Sequence, residues 1–124
     1  CPYDAIGDLT GDYSGIDGYA LFDYYNDTYE IFAAPVYIVN ELAERLMRAV
    51  LLEEMMHAIG LANDTRRTDS VLTDEYTLIQ DFSAIDIAAM NWLYDGRVAL
   101  KSDYAGCLPA VYEMYYGGEL KTEF

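Results

Sequence analysis

A chain of 124 residues supports one domain and not two. Its composition, 53% hydrophobic and 23% charged, is that of a folded globule and not of a disordered segment. A formal net charge of -15 repels phosphate and so argues against nucleic acid and anionic membranes as partners.

The acidity is uneven. No Lys or Arg precedes Arg45, whereas Asp4, Asp8, Asp12, Asp17, Asp23, Asp27 and Glu30 all do. Such a surface keeps a protein soluble, or it attracts cations or a basic partner. The longest apolar run, near residues 33–39, is short and contains Pro35, so no membrane-spanning segment is expected. The chain begins at Cys1, as an exported protein without its leader or a fragment would. Cys1 and Cys107 are its only cysteines. Bonded, they would close a long loop, worth on the order of 4 kcal/mol in the chain-entropy model. Lipid on Cys1 and two free thiols are the alternatives. The expected location is extracellular or in a bacterial cell envelope.

Residues 1–29 are rich in Gly, Asp and Tyr. Gly7-Asp8, Gly11-Asp12 and Asp17-Gly18 read as turns, with a short strand over Tyr19 to Tyr25. Asp8, Asp12 and Asp17 are loosely spaced like a calcium loop, but the twelfth position from Asp8 is Tyr19, which favours plain turns. Glu30 to Val39 reads as a strand through Ile31, Val36, Ile38 and Val39, at an edge or bulged because Pro35 lacks a donor.

Asn40 suits a helix N-cap, and a helix is predicted over residues 41–59. Leu42, Leu46, Ala49, Val50, Met56 and Ile59 recur at its period, and Gly60 stops it. After a polar loop, Ser83 and Asp86 form a capping-box pattern for a second helix. Ile85, Ala88, Ala89, Trp92 and Leu93 fill its inner side, and Asp95-Gly96 end it. A short last helix lies within residues 107–118, opened by Pro109 and closed by Gly117-Gly118. The predicted fold is a single α+β domain over residues 1–124, a small mixed sheet packed on the central helix with a C-terminal helix alongside.

The chemistry concentrates in Leu51 to Asp64. Glu53 and His57, four apart, share a helix face; Glu54 lies beside them, and Gly60 allows a turn that returns Asn63 and Asp64. This layout resembles the metzincin zinc motif, His-Glu-x-x-His-x-x-Gly-x-x-His. Glu54 falls on the catalytic glutamate, His57 on the second histidine and Gly60 on the glycine. Glu53 replaces the first histidine, and Asn63 the third ligand, with Asp64 one place on.

Asp69-Ser70-Val71-Leu72 resembles the Met-turn with Leu72 in place of methionine, and residues 83–94 resemble the matrixin C-terminal helix. The likeness covers about residues 30–96 and implies a zincin-like fold. The chain also looks like a bacterial envelope family of unknown function in which Glu-Glu replaces His-Glu. There Gly-Leu-x-Asn-Asp and Tyr-Asp-x-Arg follow, here Gly60 to Asp64 and Tyr94 to Arg97.

Peptidase zinc sites usually take two or three imidazoles, and this chain has one histidine. The first expectation is therefore a degenerate, non-catalytic binding or structural module, without a cofactor and with a protein or peptide as partner. The alternative is a zinc-dependent hydrolase in which Glu53, His57 and Asp64 hold the metal and Glu54 is general base. That donor set is harder than a His-rich one, so zinc would be held less selectively. In a third reading, His57 is a buried histidine bonded to Glu53 or a backbone carbonyl.

Overall fold

From Asp17 to Val39 the chain runs out and back as one antiparallel ribbon, broken in the middle. A computed structural model describes residues 17–75 and 78–117. In it β1 (Gly18–Ala20) pairs with β4 (Val36–Ile38), and β2 (Asp23–Tyr24) pairs with β3 (Ile31–Ala33). Leu21 N donates to Pro35 O at 3.0 Å and carries the ladder across the break. Pro35 has no N–H to return, so the ladder cannot close there.

The two strands expected at 19–25 and 30–39 are therefore each split in two, around Leu21-Phe22 and Ala34-Pro35. Among the described residues the strands form two small antiparallel pairs where a mixed sheet was expected. Among the described residues the parallel element is an isolated bridge, Thr65 to Thr73. The α+β class holds.

The central helix, α1, spans Glu44–Ala58. It starts later than predicted: Ala43 is the N-cap, without a side-chain cap, and Asn40 lies in the preceding turn. Val39 N donates to Asp17 O at 2.9 Å, which holds the ribbon to its end. The next residues turn the chain onto the sheet before the helix can begin. Ala49, Val50, Met56 and Ala58 form the buried side of α1. Gly18 lets β1 lie close against it, since a Cβ there would stand 2.6 Å from Val50 Cγ1 and 3.0 Å from Tyr37 O.

Gly60, at φ +111°, ends the helix as predicted. Gly60 N returns to His57 O at 2.9 Å and Leu61 N to Met56 O at 3.2 Å, satisfying carbonyls of the last turn.

Helix α2 spans Ala84–Leu93 and starts with the predicted capping box of Ser83 and Asp86. Its apolar residues are only partly buried; the fully buried side chain is Asp86, 1% exposed. Asp86 accepts from Ser70 Oγ, Val71 N at 3.2 Å, Ser83 N at 2.8 Å and Ser83 Oγ at 2.9 Å. It thereby ties the turn at residues 70–73 to α2. Val71 and Leu72 of that turn join Met56 as the core, with Leu52, Ile59, Leu61, Ile79, Phe82 and Met90 packed around them.

After α2, Asp95 accepts from Arg97 N and from both ends of its guanidinium, which holds its carboxyl down at about 2. Arg97 also reaches Glu113 at 3.5 Å, linking this turn to α3 (Tyr104–Tyr116). Helix α3 begins before the predicted Pro109 because Asp103 caps it, accepting from Gly106 N at 2.8 Å. Pro109 then lies inside the helix, and Gly117 closes it at φ +66°.

Cys107 sits half-buried on α3. Its expected partner Cys1 lies outside the described residues, as do Asp8 and Asp12 of the calcium-loop pattern. No helix among the described residues is long and apolar enough to cross a membrane.

Candidate functional site

Helical spacing sets Glu53 and His57 one turn apart on α1, and the Gly60 turn brings the following loop back towards them. Thr65, next after Asp64, is pinned to the 70–74 turn: Thr65 N donates to Leu72 O at 2.8 Å, and Asp74 N to Thr65 O at 2.9 Å. Asp64 is thus held where its carboxylate meets the helix face. One ligand atom each from Glu53, His57 and Asp64 lie within 4.8 Å of one another. Asp64, one place beyond Asn63 at the third-ligand position of the zinc motif, supplies the third donor of this group.

The orientation of His57 is defined from both sides of the ring. Nδ1 lies 2.7 Å from Leu61 O. A carbonyl oxygen only accepts, so Nδ1 carries a proton and donates it there. Nε2 lies 3.2 Å from Asp64 Oδ1. A bare Nε2 lone pair and a carboxylate oxygen repel at that distance, so a proton or a cation belongs between them. A metal-ligating histidine is anchored in this way, with its other nitrogen on a backbone carbonyl. The same bond also satisfies the third reading of His57 as a histidine held by the main chain.

Glu54 is buried, 7% exposed, and accepts a hydrogen bond from the backbone of Ala20 on β1. It still faces the cleft of about 370 Å³ that opens between α1, the start of β1 and residues 73–75. Asp17, Glu53, Glu54, Asp64, Asp74 and Glu75 line this cleft, with Gly18, Leu46, Ala49, Val50 and Thr73. None of these described lining residues is basic. Arg48 turns away to Asp81 at 2.7 Å, and Arg67 pairs with Asp69 at 2.7 Å.

The crowding shows in the acidities. Desolvation raises the Glu53 carboxyl above its ordinary value, and Glu54 and Asp64 push it further; His57 opposes them. Desolvation also raises Glu54, against the lowering effects of His57 and of the bond from Ala20.

Sequence reasoning missed Asp17, Asp74 and Glu75 as cleft residues. Asp17 was visible only within a calcium-loop pattern, and Asp74 and Glu75 lay in a loop without periodicity. The burial of Asp86 was foreshadowed by its capping-box position alone.

The class that fold and site define is a small α+β domain whose histidine meets two carboxylates at the edge of an acidic cleft. Residues 17–100 match the protein family described as "Protein of unknown function (DUF2927)", and the chain belongs to that family. No curated protein and no solved structure matches it.

Proposed function

We propose that this chain is a non-catalytic binding module on a degenerate metzincin-like scaffold, working outside the cell or in its envelope. Glu53, His57 and Asp64 hold a divalent cation in its acidic cleft. The observation that carries the reading is the placement of His57, with Nδ1 on Leu61 O and Nε2 turned to Asp64 Oδ1 beside Glu53.

This departs from the expectation of a cleft without a cofactor, because three donors converge and, among the described residues, no basic side chain lines the cleft to neutralise them. Two carboxylates and one imidazole suit zinc, and also harder ions such as manganese. A bound cation supplies a point of positive charge that offsets the repulsion among the carboxylates. The non-catalytic part rests on Glu54, which is buried and engaged with Ala20 instead of being free in solvent. The export part carries with it a Cys1–Cys107 disulfide, which intact-mass measurement with and without reductant tests.

Calorimetric titration with Zn²⁺ and with Mn²⁺ tests the cation site. One ion per chain is expected, with affinity lowered about tenfold or more by Glu53→Gln and by His57→Ala. At a hundred times Kd the ion should stabilise the fold by about 2.7 kcal/mol. Stoichiometric binding that survives both substitutions would overturn the assignment, as would no binding at about 1 mM.

One observation favours a second reading, a metal-dependent hydrolase with Glu54 as general base. Glu54 lines the same cleft, and its raised pKa makes it a better proton acceptor. Metal-dependent peptide hydrolysis abolished by Glu54→Gln, with cation binding intact, would establish it.

A further inference from the structure

A second concavity, of about 820 Å³, lies between the β2–β3 hairpin and the C-terminal ends of α1 and α2. Its volume is in the range of ligand-binding pockets. Its walls are aromatic and aliphatic, among them Tyr24, Tyr25, Tyr29, Tyr94 and Leu100, and among the described residues its one charged lining residue is Glu30. Those apolar residues are left open to solvent: Tyr25 is 53% exposed, Tyr94 66% and Leu100 60%. Tyrosine-rich, charge-poor surface of this kind is what the cores of protein interfaces are made of.

Charge decides between the occupants. A second copy of the chain would bring another -15 against the first. The chain's own residues 1–16 carry Asp4, Asp8 and Asp12 and no Lys or Arg. Both arrive with the wrong sign for a rim that holds Glu30, beside Asp23 and Asp27 of the same hairpin. A cation, by contrast, already docks on this rim: Lys101 Nζ stands 5.0 Å from the centre of the Tyr29 ring. The two residues of that contact also carry positive φ, +62° at Tyr29 and +67° at Lys101.

We infer that this groove binds a peptide segment of a partner protein, an apolar or aromatic anchor flanked by Lys or Arg. The anchor fills the space between Tyr25 and Leu100. The flanking cations lie along the rim, against Glu30. The groove is separate from the Glu53–His57–Asp64 cleft and does not depend on a cation there.

The test uses two short synthetic peptides, one alternating Lys with Phe and one with Glu in place of Lys, titrated calorimetrically into the full chain. The Lys peptide should bind and the Glu peptide should not, with the binding weakened by salt. Tyr25→Ser and Leu100→Ser, both at exposed positions, should each weaken it about tenfold. Glu53→Gln with Asp64→Asn should leave it unchanged. Melting temperatures of the two groove variants check that they fold. Equal binding of both peptides, no binding, or binding that follows the cleft variants instead of the groove variants would overturn the proposal. So would a dimer in sedimentation that Leu100→Ser dissolves, since the occupant would then be a second copy.

Discussion

His57 Nε2 and Asp64 Oδ1 stand 3.2 Å apart across the Gly60 turn, and Glu53 lies beside them. Because Nδ1 is committed to Leu61 O, the contact depends on what lies between ring and carboxylate, a proton or a metal cation. Each gives the loop after α1 a reason to close on the helix, and each predicts a different response to substitution.

Glu53→Gln should stabilise the metal-free protein near neutral pH. The folded state holds the Glu53 proton more tightly than the unfolded chain does, since burial and neighbouring carboxylates raise its pKa above the ordinary 4.5. Ionising it therefore costs folding energy. The cost is absent below the unfolded value, grows as pH rises through the folded one, and is complete at neutrality. Denaturant melts in chelator should show the variant more stable at pH 7 and equal to wild type near pH 3. A variant less stable at pH 7 would contradict this.

Gly60→Ala should cost about 1–3 kcal/mol, because φ +111° is a conformation that side-chain-bearing residues rarely adopt. Space is not the obstacle, as the nearest atoms to an added Cβ are 3.5 and 3.6 Å away. The loss should appear in cation affinity too, since the same turn sets the Leu61 carbonyl against His57 Nδ1. Calorimetry on the folded variant measures this directly.

Gly18→Ala should destabilise by roughly 1–3 kcal/mol through overpacking. Its Cβ would meet Val50 Cγ1 at 2.6 Å and the Tyr37 carbonyl at 3.0 Å. The second is backbone of the paired strand and cannot step aside. Urea unfolding with an unchanged slope and a lower midpoint is the expected result.

Asp86→Ala should be the most damaging single change, about 3–5 kcal/mol, because it leaves Ser70, Val71 and Ser83 donors buried without their acceptor. The turn they hold carries Leu72 and Asp74, which bond Thr65 and so fix Asp64. In protein that still folds at low temperature, cation affinity should fall as well. A substitution that alters stability alone would separate the core from the site.

The sequence by itself determined the features that local geometry controls. Glu53 and His57 share a face because residues four apart on any helix do. Gly60 marks the turn because φ beyond the reach of other residues needs glycine. Ser83 and Asp86 cap α2 because their spacing allows nothing else as good. What tertiary structure decided lies between segments distant in the chain. Asp64 reaches the cluster because the following Thr65 is bridged to Thr73. Asp17, Asp74 and Glu75 join the cleft only when β1 and the 70–75 turn pack around α1. The ribbon breaks at Pro35 and α3 starts at Asp103 because strand register and capping compete with local propensity, and a propensity worth tenths of a kcal/mol yields to a hydrogen bond worth about one.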